Sequence, residues 1–366
     1  MLLVKGLSGS DITYSTSRQG GMVMVFGIGC DTHRDTFDVS VVDGVGREVF
    51  FDHVPNTPEG YDLMVGVCER FSTFVVGIEG ASAYGRPLAV HLSEAGVGVV
   101  EVPSRISAAM RRADGPAKSD HSDARAVARA AAAGQGHVWS NSPEAEALRV
   151  VVNHRNSLVK GQNQDVNHIR ALLVEVDPQA SKQLKRARSA RAFKALGQIE
   201  YDGDIHHQIV TDTIRSLAAA CLTRHQQIKH LETRIAELLP PAAHVMIEQT
   251  PGMGVITAGR LFAELAGTTG FATAAQFATW TGTAPLDASS GRNIRHRLNR
   301  GGNRQANAAL YTIILTQLKN PNSETSIYVN RRMNENKTQR EAIRAVKRHL
   351  ARRIWKQLYQ TPNNPN

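Results

Sequence analysis

The sequence predicts an α/β domain, a long helical connector and a mainly helical C-terminal domain. Three observations lead to this prediction. Short runs rich in β-branched residues alternate with amphipathic segments between residues 22 and 139. Apolar residues then recur at coiled-coil spacing within residues 140–243. Residues 244–366 combine further helical patterns with most of the chain's excess of basic residues.

The composition favours a folded, cytoplasmic protein. The 366 residues are 42% hydrophobic, which is enough for two or three domains with their own cores. The chain lacks an apolar run long enough to span a bilayer, and its start lacks the apolar core of a signal peptide. Residues 1–21, rich in Ser, Gly and Thr, are expected to form a flexible leader. Three scattered cysteines argue against a disulfide framework or a zinc site: Cys30, Cys68 and Cys221.

Three strands are expected to open the folded part, which begins near Met22. They are "MVMVFGIGCD", which is apolar and β-branched, "TFDVSVVDG", which alternates at period two, and "REVFFDHV", which follows a turn containing glycine. A helix follows in "TPEGYDLMVGVCERF", with Thr57 as its cap and Pro58 as its first residue. The three strands therefore form an antiparallel meander that leads into a crossover.

Two crossovers complete the first domain. We predict a strand in "TFVVGIEG", a helix in "YGRPLAVHLSEAG", a strand in "VGVVEV" and an alanine-rich helix in "AKSDHSDARAVARAA". The order βββαβαβα is the plan of the ribonuclease H fold, which joins an antiparallel meander to parallel strands.

Asp120 and Asp123 lie on one side of the alanine-rich helix, about one turn apart, where their charges repel each other. One explanation is a solvated face on which neighbouring basic residues compensate the charge. The other is a divalent cation, because Mg²⁺ and Mn²⁺ prefer hard oxygen ligands. The basic neighbours are Lys118, Arg125 and Arg129.

Two further carboxylates favour the cation. Asp31 is expected just beyond the first strand and Glu79 just beyond the fourth. Each alone would be an ordinary strand-end or surface residue, but in this fold the two strands are parallel neighbours and their ends meet. Four converging carboxylates raise one another's pKa unless a cation is present. Two divalent ions held in this way suit phosphoryl transfer on nucleic acid.

Basic charge is concentrated near the C-terminus. The net charge is −4 for residues 1–136, +1 for residues 137–290 and +13 for residues 291–366. Such a surplus is typical of a region that binds a polyanion, since Lys and Arg neutralise nucleic-acid phosphates. A merely solubilising basic tail is the alternative.

Long helices are expected in the middle of the chain. Residues 148–176 have a loose apolar stripe, and residues 214–238 follow a 3,4 spacing that only Arg224 interrupts. The two could form a hairpin within one chain or pair between subunits. The basic stretch "SKQLKRARSARAFKALG" between them is expected to be exposed, as a solvated loop or a phosphate contact. The spaced residues are Ile214, Leu217, Cys221, Ile228, Leu231, Ile235 and Leu238.

Two C-terminal segments have features of phosphate binding. "TPGMGVITAGRL" resembles a helix-hairpin-helix turn, in which glycines let backbone amides approach a phosphate. "LDASSGRNIRHRLNRGGNRQ" lacks apolar periodicity and places two serines among arginines, whose forks bind phosphate bidentately. The serines are either ordinary loop residues or a nucleophile for a phosphodiester. The arginines are Arg292, Arg295, Arg297, Arg300 and Arg304.

The chain resembles the DEDD transposases and invertases, whose N-terminal domain is similar to the RuvC resolvases. The N-terminal resemblance rests on "GIGCDTHRDTFDVSVVD", "VVGIEGASAYGRPL" and "AKSDHSDARAVA". The C-terminal resemblance rests on "TPGMGVITAGRLFAEL", "FATAAQFATWTGTAP", "SSGRNIRHRLNRGGNRQANAALY" and "AVKRHLARRIWKQL". Together, the two resemblances cover residues 24–136 and 244–358.

This resemblance implies a DNA recombinase that uses Mg²⁺ or Mn²⁺ and a serine. It assigns the nucleophile to the serine directly before the glycine, Ser290, with Ser289 as the alternative. Asp287 and His296 are the nearest groups that could serve as its base. Tyr311 is a less favoured nucleophile, since its segment is helical and the residue is expected in the core. The same resemblance implies that Asp31, Glu79, Asp120 and Asp123 bind the metal.

Many members of this family use a bridge RNA that pairs with donor and target DNA, whereas Piv-type invertases flip a DNA segment. The resemblance also implies that the protein forms a homo-oligomer, either a dimer or a tetramer, and that it is located at the nucleoid of a prokaryotic cell. We expect a leader over 1–21, a RuvC-like domain over 22–139, a coiled-coil connector over 140–243 and a serine-bearing domain over 244–366. The rival interpretations are a metal-dependent junction nuclease and an architectural DNA-binding protein with a degenerate site.

Overall fold

Alternating apolar residues build the first strands of a mixed sheet. The computed structural model describes residues 25–81, 83–114, 119–140, 142–183, 189–265, 270–287, 296–297 and 302–360. Six strands occur in its main sheet, in the order β3-β2-β1-β4-β5-β6. Their bounds are β1 Phe26–Thr32, β2 Thr36–Val42, β3 Glu48–Pro55, β4 Phe74–Glu79, β5 Val99–Glu101 and β6 His137–Val138.

The predicted meander and crossovers are confirmed. β1 pairs antiparallel with β2 and parallel with β4, and β4 pairs parallel with β5. β6, which the sequence did not predict, adds an antiparallel edge strand beside β5. This mixed sheet with its helices is consistent with an α/β domain of the ribonuclease H type.

Four of the described helices accompany this sheet. Thr57 caps the first, and its side chain accepts a hydrogen bond from the Gly60 amide, as the sequence predicts. Two helices follow β5, whereas the sequence predicted only the second. Gly115 and Pro116 separate the two helices in the sequence, and Ser119 caps the second one. The helices are α1 Pro58–Glu69, α2 Arg86–Glu94, α3 Ser104–Asp114 and α4 Asp120–Ala132.

The two faces of the sheet pack differently. One face contributes Ile28 and Phe37 to the main apolar core, which also contains Met64 of α1. The other face lies against α4, where glycine replaces side chains: a Cβ on Gly29 would lie 2.1 Å from the amide nitrogen of Ala128. The backbone of α4 therefore rests directly on β1, and this contact requires the alanine-rich helix that the sequence predicts.

Two long helices dominate the middle of the chain, as predicted. Gln162 donates to the Cys221 carbonyl at 3.1 Å, and Arg155 pairs with Glu232 at 2.8 Å, so the helices run antiparallel. Arg224, which interrupts the apolar spacing, forms an ion pair with Asp165. These contacts lie within one chain and support the hairpin. The segments are α5 Pro143–Val176, α6 Pro178–Gln183, α7 Ala190–Leu196 and α8 Ile205–Leu238.

The expectation that the basic stretch between the long helices is exposed is wrong for α7. Phe193 and Leu196 of α7 are buried in the same apolar cluster as Ile169 and Ile214. Their spacing of three residues places both on one face of a short helix, and Ser189 caps it. Within α7, the charged residues Arg191 and Lys194 are exposed.

The remaining elements are mainly helical. Gly252, in the turn between α9 and α10, has φ +82°, a conformation that favours glycine; whether this turn is a helix-hairpin-helix stays a prediction. None of the described helices is long and apolar enough to cross a membrane. The elements are α9 Pro241–Gln249, α10 Val255–Leu265, α11 Ala274–Trp280, β7 Leu286–Asp287, β8 His296–Arg297, α12 Arg304–Gln317, α13 Glu324–Asn334 and α14 Gln339–Tyr359.

The chain divides into two compact units, each assembled from separated stretches of sequence. Unit 1 comprises Met1–Pro143, Leu265–Asn303 and Ala351–Asn366. Unit 2 comprises Glu144–Glu264 and Arg304–Leu350. The six-stranded sheet belongs to unit 1, and the long helices lie almost wholly in unit 2.

Candidate metal centre

Asp31 and Glu79 are direct neighbours across the central strand pair. β1 and β4 run parallel, and their register places Asp31 opposite Glu79. Both residues lie inside the C-terminal ends of their strands, not just beyond them as predicted. Neighbouring residues in register on parallel strands point to the same face of the sheet, so the two carboxylates share one edge.

Asp120 reaches the same place through the packing of α4. Gly29 faces Ala124, since a Cβ on this glycine would lie 2.4 Å from the Ala124 carbonyl oxygen. Asp31 lies two residues after Gly29 on β1, and Asp120 lies four residues before Ala124 on α4. Two strand residues span about 6.6 Å and four helix residues about 6.0 Å. Because these lengths are nearly equal, Asp120 lies beside Asp31 as Ala124 lies beside Gly29.

His33 joins Asp31 and Asp120. Its Nε2 lies 3.5 Å from Asp31 Oδ2 and 3.6 Å from Asp120 Oδ1. One donor atom from each of the three residues lies within 4.8 Å of the others, which is compatible with a single metal ion. Sequence reasoning missed His33; its signal was the spacing of two from Asp31, which brings both side chains to one face at a strand end.

The other two carboxylates are held by α3. The Ser107 hydroxyl donates a hydrogen bond to the Glu79 carboxylate, and the Arg111 guanidinium forms an ion pair with Asp123. The Asp123 side chain is 11% exposed, so this pair is largely shielded from water. Sequence reasoning missed Ser107 and Arg111, because it did not predict a separate helix between β5 and α4.

The pKa of Asp31 is raised from 3.8 to about 6, mainly by burial and further by Glu79, Asp123 and Asp120, while His33 opposes the rise. All four predicted carboxylates therefore interact electrostatically at one place. The cluster offers carboxylate oxygens and one imidazole, donors that suit a divalent cation, and the charge of such a cation would lower the pKa of the buried Asp31. The donor set thus fits the metal that the sequence implies.

A fifth carboxylate lies beside the centre with its own partner. Asp38 of β2 is opposite Asp31 in the antiparallel register and is 3% exposed. Its carboxylate is hydrogen-bonded to Nδ1 of His53, its neighbour on β3. Asp38 therefore already has a hydrogen-bond partner outside the three-residue cluster of Asp31, His33 and Asp120.

The serine segment lies between two short strands. β7 and β8 pair antiparallel, with Asp287 opposite His296. Arg297 belongs to β8, and Arg304 is the exposed first residue of α12. The remaining predicted residues of this segment lie outside the described part of the chain: Ser289, Ser290, Arg292, Arg295 and Arg300.

Tyr311, expected in the core, is 42% exposed, so that expectation is wrong. Its helix α12 buries the neighbouring face through Ala309, Leu310 and Ile313. The Tyr311 ring lies beside the Lys347 ammonium, 5.7 Å from the ring centre. A helix with one buried stripe leaves such a residue at the boundary with solvent.

Comparisons with known proteins identify families and a relative that this chain resembles. Residues 28–178 match the family of DEDD transposases of the IS110 type, and residues 245–329 match the family described as Transposase IS116/IS110/IS902. An uncharacterized 43.6 kDa protein of insertion element IS110 from Streptomyces coelicolor is 27% identical over 369 residues. The alignment covers 86% of this chain and 89% of that relative.

Proposed function

Because the chain belongs to the IS110 family of DEDD transposases, enzymes that cut and rejoin DNA, we propose that it moves an insertion sequence by metal-assisted attack of a serine on a phosphodiester. The observation that carries the proposal is the convergence of Asp31, Glu79, Asp120 and Asp123 at the ends of β1, β4 and α4. DNA is the substrate, and the acidic centre is where the reaction takes place.

The four carboxylates hold Mg²⁺ or Mn²⁺. Bound there, the metal would stabilise charge on the reacting phosphate and lower the pKa of a nucleophilic hydroxyl. Asp31 and Asp120 supply oxygens from the strand and the helix, and the Ser107 hydroxyl orients Glu79. The close packing of α4 on β1 fixes the separation of these groups, because a slipped helix would disturb the glycine contacts.

Ser290 is the proposed nucleophile. Its oxygen would bond to phosphorus and displace one strand oxygen, which takes up a proton, and the enzyme would then hold the cut strand as a phosphoserine ester. Rejoining reverses this step with the hydroxyl end of another strand. The arginines of the segment contact phosphate through their forks: Arg292, Arg295, Arg297, Arg300 and Arg304.

Covalent adduct formation tests both halves of the proposal. Labelled donor DNA incubated with the full chain and Mg²⁺ should give a protein–DNA adduct on a denaturing gel. Asp31→Asn and Asp120→Asn should reduce the adduct by about a thousandfold or more, since these variants no longer hold the metal that stabilises the reacting charge. Ser290→Ala should abolish the adduct but keep DNA binding, and Ser289→Ala is the matched control.

If Ser289→Ala abolished the adduct and Ser290→Ala kept it, the nucleophile would be Ser289. Strand transfer without any adduct would contradict the serine mechanism. Undiminished activity of Asp120→Asn, or full activity in chelator, would contradict the metal centre. Mixing Ser290→Ala with Asp31→Asn should restore part of the activity if subunits share one composite site, as expected for a homo-oligomer of two or four chains.

A bridge RNA is the proposed source of sequence specificity. Base pairing with donor and target DNA would then select the site, while the protein holds backbone and shape. Sequencing the RNA that copurifies with the protein, and then changing its pairing segments, should redirect insertion. Normal recombination by RNA-free protein would instead support a Piv-type invertase, and cleavage without strand transfer would support a junction nuclease.

A further inference from the structure

The imidazole of His33 is in an unusual environment. Its Nε2 is excluded from solvent and makes no hydrogen bond to the described residues, although the rest of the side chain is partly exposed. Two carboxylate oxygens lie close to it, Asp31 Oδ2 at 3.5 Å and Asp120 Oδ1 at 3.6 Å, but both are beyond the usual hydrogen-bond range of about 2.7–3.2 Å. A buried nitrogen without a hydrogen-bond partner is costly and needs an explanation.

A shared metal ion explains these distances. Two ligands at about 2.1–2.2 Å from one ion lie roughly 3.0 Å apart when adjacent in an octahedron and roughly 4.3 Å apart when opposite. The separations of 3.5 and 3.6 Å fall between these limits. The atoms are thus too distant to bond to one another and close enough to bond to the same ion.

The backbone of His33 is held from both sides. Its amide donates to the Thr36 carbonyl at 2.9 Å, and its carbonyl accepts from Asn56 Nδ2 at 2.8 Å. The Tyr61 hydroxyl donates to Asn56 Oδ1 at 2.8 Å and fixes that amide in turn. Such support orients a ligand before the metal arrives, as is typical of residues around metal centres.

We propose that His33 is a nitrogen ligand to the ion held by Asp31 and Asp120, and that it gives this ion site a preference for Mn²⁺ over Mg²⁺. The inference rests on the proposed metal centre. An all-oxygen site suits Mg²⁺, whereas an imidazole favours metals that accept nitrogen and stand later in the divalent series. Glu79, which accepts a hydrogen bond from Ser107, and Asp123, which is paired with Arg111, would supply only oxygen ligands to the other part of the centre.

Electron spin-echo spectroscopy of Mn²⁺ bound to the full chain tests this directly, because a coordinated imidazole nitrogen modulates the echo. The wild type should show ¹⁴N modulation, and His33→Ala should lose it. His121→Ala is the matched control: His121 follows Asp120 on the same helix, but its Nε2 is paired with Glu48 at 2.8 Å. That variant should keep the signal.

Titration calorimetry gives the second measurement. His33→Ala should weaken Mn²⁺ binding about tenfold or more and change Mg²⁺ binding by less than about threefold. His33→Asp should lose the ¹⁴N signal while retaining metal, with the preference moved toward Mg²⁺. Persistence of the signal in His33→Ala, or equal losses for both metals, would overturn the proposal. Absence of Mn²⁺ binding in the wild type would instead overturn the metal centre itself.

Discussion

Asp31 is under two opposing influences. Burial and three neighbouring carboxylates raise its pKa, whereas metal binding requires the charged form. In the folded protein without metal its pKa is about 6, above the ordinary value of 3.8. Between these values the folded chain binds a proton that the unfolded chain has released, so stability falls as pH rises through this window.

The first prediction concerns this pH window. In chelator, the free energy of unfolding should decrease between about pH 4 and pH 6, and Asp31→Asn should flatten this part of the curve. Divalent-ion affinity should rise through the same window and level off above about pH 6, because binding must first displace the proton. Denaturant titrations and calorimetry at each pH measure both. An unchanged slope in Asp31→Asn would contradict the assignment.

The carboxylates of the site were predictable from the sequence, and their partners were not. Asp31 and Glu79 lie at the C-terminal ends of apolar strands, where a charged residue indicates a functional site. His33, Ser107 and Arg111 are ordinary residue types for exposed turns and helices, and only their position relative to the carboxylates distinguishes them. That position depends on the tertiary contacts of α3 and of the loop after β1.

At the scale of the elements, α4 determines the geometry of the centre. Its alanines pack on glycines of β1 and β4 without intervening side chains. Sequence periodicity predicted most helices and strands of the sheet, since their apolar residues repeat regularly. It missed α3 and β6, because a two-residue strand carries no periodic signal and no helix was predicted between the fifth strand and the alanine-rich helix.

The second prediction concerns this packing. Gly29→Ala would place a methyl group 2.1 Å from the Ala128 nitrogen and 2.4 Å from the Ala124 carbonyl, both of them backbone atoms. The helix must move, so we expect a loss of several kcal/mol in stability and weaker divalent-ion binding. Chemical denaturation and calorimetry measure these effects.

Gly66→Ala is the matched control for this change. Gly66 lies inside α1, and nothing is within 4 Å of a Cβ added there. Alanine should stabilise the helix by about 0.5–1 kcal/mol and leave metal binding unchanged. Equal effects of the two substitutions would show that α4 does not set the geometry of the centre.

For the whole molecule, charge is distributed unevenly along the chain. Residues 291–366 carry a net charge of +13, whereas residues 1–136 carry −4. A DNA-cleaving enzyme with an acidic centre needs basic groups elsewhere to hold a polyanion. Composition alone predicts this separation of tasks, but which arginines contact phosphate depends on their exposure.

The third prediction uses exposed arginines of this region. Replacing Arg304, Arg340 and Arg352 with Gln should weaken DNA binding at low salt and reduce the slope of log affinity against log salt by about 0.9 for each phosphate that is no longer neutralised. Arg47→Gln, on the exposed turn between β2 and β3, should leave the slope unchanged. Fluorescence anisotropy at several salt concentrations measures both. Identical slopes for the triple variant and the wild type would contradict the assignment.

The segmented make-up of unit 1 affects the timing of its biosynthesis. Its last segment begins at Ala351, more than two hundred residues after its first segment ends at Pro143. At about 5–20 residues per second, a ribosome needs roughly 10–40 s to make the intervening chain. The residues of the sheet, with its carboxylates, are therefore all synthesised well before the segment that begins at Ala351. The nascent chain thus carries the four candidate metal ligands for roughly 10–40 s before the last segment of its own unit has been made.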